Sequence, residues 1–217
     1  IEKLTGQSYE KFVRENVLAP AGIRHMKIGA TLDGRQAERE VRYYMADNSE
    51  GNSVFPGTVG KVPWPYGGFN LEAMDAHGGW IASAVDLARF AAAVDEAAAS
   101  SLLTPATLGE MYAPPPPPVS RRDDGSLKES WYGCGWSVRP RQDGKVNVWH
   151  SGSLPGTSTL LVRRSDGLSW AVLFNQRSAD NNLPDNAIDG ALHRAAAAVM
   201  AWPDHDLFGE AKFSPTL

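Results

Sequence analysis

The amino-acid sequence predicts an α+β protein in which an antiparallel β-meander is packed with helices. Helical periodicity appears in the first hundred residues, short strand-like segments follow residue 131, and a last helical segment closes the chain. Helices on both sides of a meander are typical of a domain in which the helices pack on the sheet.

The first predicted helix begins near Tyr9. Apolar side chains recur from Tyr9 to Val17 at helical spacing and share one face. Ser8 is a suitable N-cap, and Pro20 ends the helix because it cannot donate a backbone hydrogen bond.

Two further helices carry recognisable caps. Ser83 with Asp86 three residues later resembles a capping box, and Thr104 followed by Pro105 predicts a shorter helix. We expect polyproline II in the run 114–118, serving as a stiff spacer rather than as a ligand for a proline-binding module. The buried face of the second helix should contain Leu87, Phe90, Ala91 and Val94.

Residues 29–76 lack clear periodicity and are rich in Gly, Pro, Asn and Asp. A loop of this length in a compact domain is usually functional or packed over a site. Its aromatic residues either line a substrate groove or hold the loop together, and the sequence does not separate these alternatives. They are Trp64, Tyr66 and Phe69.

The meander is predicted from four strand-like segments separated by turn-forming pairs. Asp-Gly between two such segments is a strong hairpin signal. The strands are Tyr132–Val138, Val146–His150, Ser158–Arg164 and Leu168–Phe174, and the turns are Asp143-Gly144, Pro155-Gly156 and Asp166-Gly167. A last helix should follow, and its one apolar face should contain Ile188, Leu192, Ala195, Ala196 and Val199.

One face of this sheet needs to be buried. Six large apolar residues alternate with polar or small ones along the strands, which is the pattern of a covered sheet face. They are Trp149, Leu160, Val162, Trp170, Val172 and Phe174.

Composition excludes several classes of protein. The net charge is −4 and no basic cluster exceeds Arg121-Arg122, so nucleic acid is not expected as a partner. No apolar run reaches the length of about 18 residues that predicts a transmembrane helix. We expect no cofactor, and no metal site, because the histidines outside the meander (His25, His77, His193 and His205) lack suitably spaced ligands. The single cysteine, Cys134, is expected in a strand as a buried, inert thiol.

Four segments in order resemble the serine β-lactamase and penicillin-binding-protein superfamily, nearest its class C and DD-peptidase-like branch. They are residues 1–23, Gly78–Ser83 with Asp86–Phe90, Tyr132–Trp136, and His150–Gly156. The resemblance covers about residues 1–177 and implies the C-terminal part of the β-lactamase/transpeptidase-like fold. In this interpretation residues 1–130 form a helical and long-loop region bordering the cleft. Residues 131–217 form the sheet with its C-terminal helix, and both regions are parts of one larger catalytic domain.

Three motifs carry the chemistry of that superfamily: Ser-x-x-Lys, Tyr-x-Asn, and Lys-Thr-Gly or His-x-Gly. The third matches His150-Ser151-Gly152. The resemblance implies that the backbone N–H of Ser153 donates to the oxyanion and that His150 binds a carboxylate or donates a hydrogen bond. Ser151 and Gly152 would contact the substrate. The plainer alternative is a histidine that ends a strand before a turn.

The nucleophile is expected upstream of Ile1. The one Ser-x-x-Lys of the chain, Ser8 to Lys11, matches a non-catalytic helix of the superfamily. We therefore expect this chain alone to be inactive, with the missing N-terminal segment or a second copy as partner. The substrate would be a β-lactam, a D-alanyl peptide of the peptidoglycan type, or an ester, and histidine in place of lysine favours a peptidase or esterase. A non-catalytic binding or structural module is the alternative. The resemblance implies an extracytoplasmic location.

Overall fold

The computed structural model describes residues 1–95, 102–177 and 185–204. The protein has the predicted α+β fold, with an antiparallel sheet and accompanying helices. The chain forms two compact units, Ile1–Leu183 and Pro184–Leu217. None of the helices in the described ranges has the length and apolar content needed to cross a membrane.

The helices begin where the sequence places their caps. Ser8 Oγ accepts the backbone N–H of Lys11 at 3.4 Å, and Thr104 Oγ1 accepts that of Thr107 at 3.2 Å. A π-helical turn, Arg14–Leu18, continues the second helix and was not predicted. The helices are α1 (Glu2–Thr5), α2 (Tyr9–Val13), α3 (Leu71–Met74), α4 (Ala84–Ala93), α5 (Pro105–Tyr112) and α6 (Asp185–Ala198).

A five-stranded antiparallel sheet forms the centre of the first unit, and short two-stranded sheets surround it. The strands are β1 (Lys27–Ile28), β2 (Tyr44–Met45), β3 (Glu50–Asn52), β4 (Lys61–Pro63), β5 (Trp80–Ile81), β6 (Trp131–Tyr132), β7 (Ser137–Pro140), β8 (Val146–Leu154), β9 (Thr157–Arg163), β10 (Ser169–Phe174) and β11 (Gln176–Arg177). The central order is β10-β9-β8-β7-β6, and the small sheets are β1-β5, β11-β2 and β3-β4.

The first predicted strand of the meander is divided in two. Gly133 lies against the end of α5, where an added Cβ would be 2.4 Å from the carbonyl oxygen of Met111. That oxygen accepts the backbone N–H of Cys134 at 2.8 Å, and the resulting turn separates β6 from β7. The prediction that Cys134 lies buried in a strand is therefore wrong, because the turn leaves this thiol exposed.

The proline run differs from its prediction as well. Residues 116–120 form turns rather than extended polyproline II. The backbone N–H of Val119 donates to the carbonyl of Pro116 at 3.3 Å. The buried Ser120 donates its hydroxyl to the carbonyl of Pro115 at 2.6 Å. A polyproline II helix has no internal hydrogen bonds, so these contacts favour the turned conformation.

The six alternating apolar residues of the meander share one face of the sheet, as predicted. Trp149 lies opposite Val162, and Val162 lies opposite Trp170. Directly opposed residues project on the same side, so the remaining three follow from the period of two. Leu160 and Val162 are buried on this face.

The opposite face carries the main hydrophobic core. Val138 and Val148 are fully buried there, beneath α4 and α5. The capping box on α4 forms as predicted: Ser83 Oγ accepts the N–H of Asp86 at 3.1 Å. The core contains Ala91, Val94, Leu108, Tyr112, Trp136, Val138, Val148 and Leu161.

Removal of the α4 cap should destabilise the protein measurably. Ser83→Ala deletes the acceptor for the Asp86 N–H, so the free energy of unfolding should fall by about 1 kcal/mol. Urea denaturation followed by circular dichroism measures the change. The matched control is Val85→Ala in the same helical turn, whose exposed side chain should contribute within about 0.5 kcal/mol. Equal stability of Ser83→Ala and the wild type would contradict the assignment of this cap.

Candidate active site

The predicted site lies on a β-hairpin made by β8 and β9. Seven residue pairs, from Val148 opposite Arg163 to Leu154 opposite Thr157, join the two strands. Pro155 and Gly156 close the hairpin, with Gly156 at a φ of 82°. Proline followed by a positive-φ glycine is typical of a type II turn, which tends to splay the strands it connects.

The second edge of β8 is open beyond Trp149. In the antiparallel ladder the N–H and C=O groups of alternate residues point to alternate sides. Arg141 N–H donates to the Lys145 carbonyl at 2.8 Å, so the backbone groups of Lys145 point toward β7. Every second residue after Lys145 does the same, and the backbone groups of Trp149 therefore also face β7. Ser151 and Ser153 point their backbone groups to this same side, where β7, within the described residues, pairs only with 146–149.

This orientation is the one that the predicted oxyanion donor requires. The Ser153 N–H points to the open edge of β8, away from β9. The side-chain hydroxyl of Ser153 is distinct from this backbone donor. Its Oγ is buried and has no hydrogen-bond partner among the described residues. The role of Ser153 as a donor stays a prediction.

His150 lies exposed on β8 and contacts a tyrosine from β6. Tyr132 Oη is 2.9 Å from His150 Nε2, and the two rings meet edge to face with centroids 5.8 Å apart. In the sequence Tyr132 belongs to the segment Tyr132–Trp136 of the family resemblance, which implies no role for it. The strand order β6-β7-β8 brings Tyr132 beside His150. The signal in the sequence that could have indicated this contact was a tyrosine located two strands before the histidine.

Gly152 is required by the neighbouring strand. An added Cβ at Gly152 would lie 2.5 Å from Oγ1 of Thr159, the residue directly opposite. The predicted reason for this glycine was the close approach of a substrate to the backbone. The structure supplies an internal reason, namely the packing of Thr159. Ser151 is exposed on the strand between Gly152 and His150.

The long loop packs over the tip of the hairpin, and its predicted role over a site stays a prediction. An added Cβ at Gly156 would lie 2.7 Å from both Pro65 Cγ and Tyr43 Cβ. The Gly156 N–H points to Met45 Sδ at 3.2 Å, and β2 adds a parallel pairing with β11. The buried Tyr66 accepts the Tyr43 N–H through its hydroxyl oxygen at 2.7 Å, so this aromatic residue holds the loop together.

Tyr43 is also the most electrostatically perturbed group at the tip. Burial raises the pKa of its phenol well above the ordinary value, and the negative charge of Glu40 and a hydrogen bond to it raise it further. The tip therefore contains a phenol that stays protonated at any neutral or mildly alkaline pH.

Two other residues that the sequence offered as candidates have structural roles or surface positions. Ser8 is the N-cap of α2, and His77 is exposed in a turn where its N–H donates to the Met74 carbonyl at 2.7 Å. Among the described residues no three metal-ligating side chains lie together. His205 lies outside the described residues.

The sheet with helices on its core face, and the open strand edge bearing His-x-Gly, define a protein of the β-lactamase/transpeptidase-like fold. The Beta-lactamase family profile matches residues 1–195, so the chain belongs to the beta-lactamase family of serine hydrolases, as the sequence resemblance implied.

The relatives include penicillin-binding proteins and an amidohydrolase. Penicillin-binding protein 4* of Bacillus subtilis (strain 168) is 22% identical over 97% of this chain and 41% of its own length. A penicillin-binding protein from Bacillus halodurans is 18% identical, with a TM-score of 0.59 over 89% of this chain and 52% of its own. A D-stereospecific amidohydrolase from Streptomyces sp. is 23% identical, with a TM-score of 0.56 over 81% of this chain and 46% of its own. The chain thus spans about half the length of these proteins, or less.

The raised pKa of Tyr43 predicts how the tip responds to alkali. The folded protein holds the phenolic proton more tightly than the unfolded chain does. This contribution to stability is therefore complete below the ordinary pKa of 10.0 and is lost as the pH rises above it. Tyr43→Phe should lower Tm at pH 8, since the Glu40 hydrogen bond is lost, and should flatten the decline of Tm between about pH 9 and 11.

Thermal unfolding across that pH range measures the effect. The matched control is Tyr44→Phe, which changes the neighbouring exposed tyrosine and should leave the alkaline decline as in the wild type. Parallel curves for Tyr43→Phe and the wild type would show that Tyr43 is not held neutral by its surroundings.

Proposed function

We propose that this chain supplies the oxyanion-side strand and part of the cleft wall of a serine acyl hydrolase that acts through an acyl-serine intermediate. The open edge of β8 beside His150 supports this proposal most directly. The substrate class is an acyl compound such as a D-alanyl peptide, an ester or a β-lactam. Histidine rather than lysine at position 150 favours the first two.

The chemistry assigns separate tasks to the groups on β8. A serine hydroxyl attacks the acyl carbonyl, the carbonyl oxygen becomes negative, and the Ser153 N–H donates to that oxygen. The amine or alcohol then leaves, and water hydrolyses the acyl-serine. One such backbone donor is worth about 10²- to 10³-fold in kcat. The exposed C=O and N–H groups of Ser151 and Ser153 suit an extended substrate that adds to the strand edge.

The proposal places the nucleophile outside the region of Ser8. Ser8 Oγ caps α2, and Lys11 Nζ lies 4.0 Å from the Glu15 carboxylate on an exposed surface. Both side chains have other contacts in this arrangement, which does not favour lysine-assisted attack by Ser8. The Ser-x-x-Lys and Tyr-x-Asn motifs would come from another segment or a separate chain, whereas a second copy of this chain could only cover the open sheet edge. Residues 1–130 would then border the cleft, with residues 131–217 as the sheet region.

The commitment of Ser8 to a helix cap also supports a second candidate. A binding or structural module of the same fold would keep the open strand edge for a ligand and would carry out no hydrolysis. Covalent labelling separates these two functions.

A fluorescent penicillin should label the product of the complete coding sequence and should not label the 217-residue chain alone. The reason is that acylation needs a serine activated by a base, and Ser8 is occupied as a cap. Gel fluorescence after a timed reaction measures this. Labelling of the 217-residue chain that disappears in Ser8→Ala would make Ser8 the nucleophile and overturn the assignment. Absence of both labelling and hydrolysis in the complete product would favour the binding module.

His150→Ala in the complete product should lower kcat/KM by about 10- to 1000-fold for substrates bearing a carboxylate. This is the scale of one lost polar or charged contact in a site. Steady-state kinetics with a D-alanyl peptide, which bears a carboxylate, measure the loss, and a p-nitrophenyl ester without a carboxylate is the comparison substrate. His77→Ala, which changes an exposed histidine in a turn, is the control and should retain wild-type kcat/KM. Unchanged kinetics in a folded His150→Ala protein would leave His150 as the end of a strand and no more.

A further inference from the structure

We propose that Tyr132 is a positioning residue that sets the tautomer of His150. Its hydroxyl donates to Nε2, so that Nδ1 carries the imidazole proton and presents a neutral N–H donor to a substrate oxygen. The assignment of a substrate oxygen as the acceptor of this N–H rests on the proposed function. The Tyr132–His150 interaction itself does not.

The backbone of Tyr132 is held from both sides although its ring is half exposed. On one side the indole N–H of Trp131 donates to the Tyr112 carbonyl at 2.8 Å. On the other side the Gly133 turn is held against Met111, at the same end of α5. Tyr132 thus presents its hydroxyl from a fixed point, and it is a suitable reference group for an exposed imidazole on a strand edge.

The strand order brings the two residues close together without any long-range loop, although the register alone places Tyr132 on the Trp149 face of the sheet and His150 on the opposite face. Their side chains meet where β7 no longer pairs with β8. Tyr132 lies opposite Ser137 in β7, and Ser137 lies opposite Trp149 in β8. His150 is the next residue along β8, and its Nε2 is 2.9 Å from Tyr132 Oη. The two rings meet edge to face, with an interplanar angle of 65°, and the imidazole presents its Nε2 edge to the phenol.

Hydrogen-bond chemistry decides which atom donates. A phenol keeps its proton at neutral pH and is a better donor than acceptor, since its oxygen lone pair is shared with the ring. In the neutral imidazole one nitrogen accepts and the other carries the proton, and the partner of one nitrogen fixes the state of the other. Nε2 is the ring nitrogen of His150 that the Tyr132 hydroxyl contacts, at 2.9 Å, and on these chemical grounds we assign the phenol as donor and Nε2 as acceptor. Donation to Nε2 therefore leaves the proton on Nδ1.

This arrangement has a consequence for the substrate. A lysine at this strand position would offer a cation to a carboxylate, whereas an imidazole held as the Nδ1–H tautomer offers a directed, uncharged donor. Such a donor suits the carbonyl oxygen of an ester or amide, and it does not depend on a negative charge. Tyr132 would thereby contribute to the choice of acyl substrate without touching it.

The test reads the tautomer directly from ring nitrogen chemical shifts. The 217-residue chain is labelled with ¹⁵N, and long-range ¹H–¹⁵N spectra at pH 8 are recorded. The His150 signals are identified by their loss in His150→Ala. The wild type should show a protonated Nδ1 and an unprotonated Nε2. Tyr132→Phe, which keeps the aromatic ring and removes the donor, should shift His150 toward the Nε2–H form that free histidine favours in water.

Tyr44→Phe is the matched control, because it removes the hydroxyl of a comparably exposed tyrosine on another sheet and should leave His150 unchanged. A wild-type His150 in the Nε2–H form overturns the proposal even if Tyr132→Phe fails to fold. So does an unchanged Nδ1–H tautomer in a folded Tyr132→Phe variant. In the complete product, Tyr132→Phe should lower kcat/KM by about 5- to 10-fold, the scale of one lost hydrogen bond. A tautomer that responds to Tyr132 in a protein without hydrolase activity would support this inference while the proposed function fails.

Discussion

The pairing of β8 with β9 on one side, and its early separation from β7 on the other, determines what this protein can present to a ligand. β9 contacts β8 as far as Leu154, whereas β7 stops at Trp149. Backbone groups in an antiparallel ladder alternate in direction, so the residues beyond Trp149 project N–H and C=O groups into an open edge. The chemistry proposed for this chain depends on that edge.

Such a strand needs support at both of its ends, because unpaired backbone groups do not hold it. At one end Val148 is fully buried among residues of α4, α5 and the sheet. Each fully buried valine or leucine contributes roughly 1.5–3 kcal/mol, which is a large share of a net stability of about 5–15 kcal/mol. At the other end the long loop packs Tyr43 and Pro65 against Gly156. This packing supports a turn type that would otherwise splay the strands.

Two glycines show how packing and function share the same residues here. Gly152 lies in a motif that suggests substrate contact, yet the position of Thr159 alone excludes a side chain there. Gly133 lies in a segment that resembles a strand, yet the Met111 carbonyl requires it to turn. The turn at Gly133 places Tyr132 beside His150, so a steric requirement of the core also builds the polar pair at the open edge.

The features predicted correctly from the sequence are those that neighbouring residues decide among themselves. The capping box of Ser83, the hairpins at Asp-Gly and Pro-Gly, and the shared face of Trp149 and Val162 follow from hydrogen bonds and periodicities that span a few residues. The His-x-Gly motif could be recognised for the same reason, since it is contiguous. The length of the long loop indicated that it is functional or packed over a site, and the structure packs it against Gly156 at the hairpin tip.

Tertiary structure decided the features that distant segments impose on one another. The break after Tyr132 and the exposure of Cys134 depend on a carbonyl at the end of α5, some twenty residues earlier in the chain. The pairing of Tyr132 with His150 depends on the division of the first predicted strand into β6 and β7, which the local pattern did not indicate. Periodicity specifies which side of a strand is apolar. It does not specify which neighbour lies next to that strand or where the pairing ends, because those outcomes come from packing across the whole sheet.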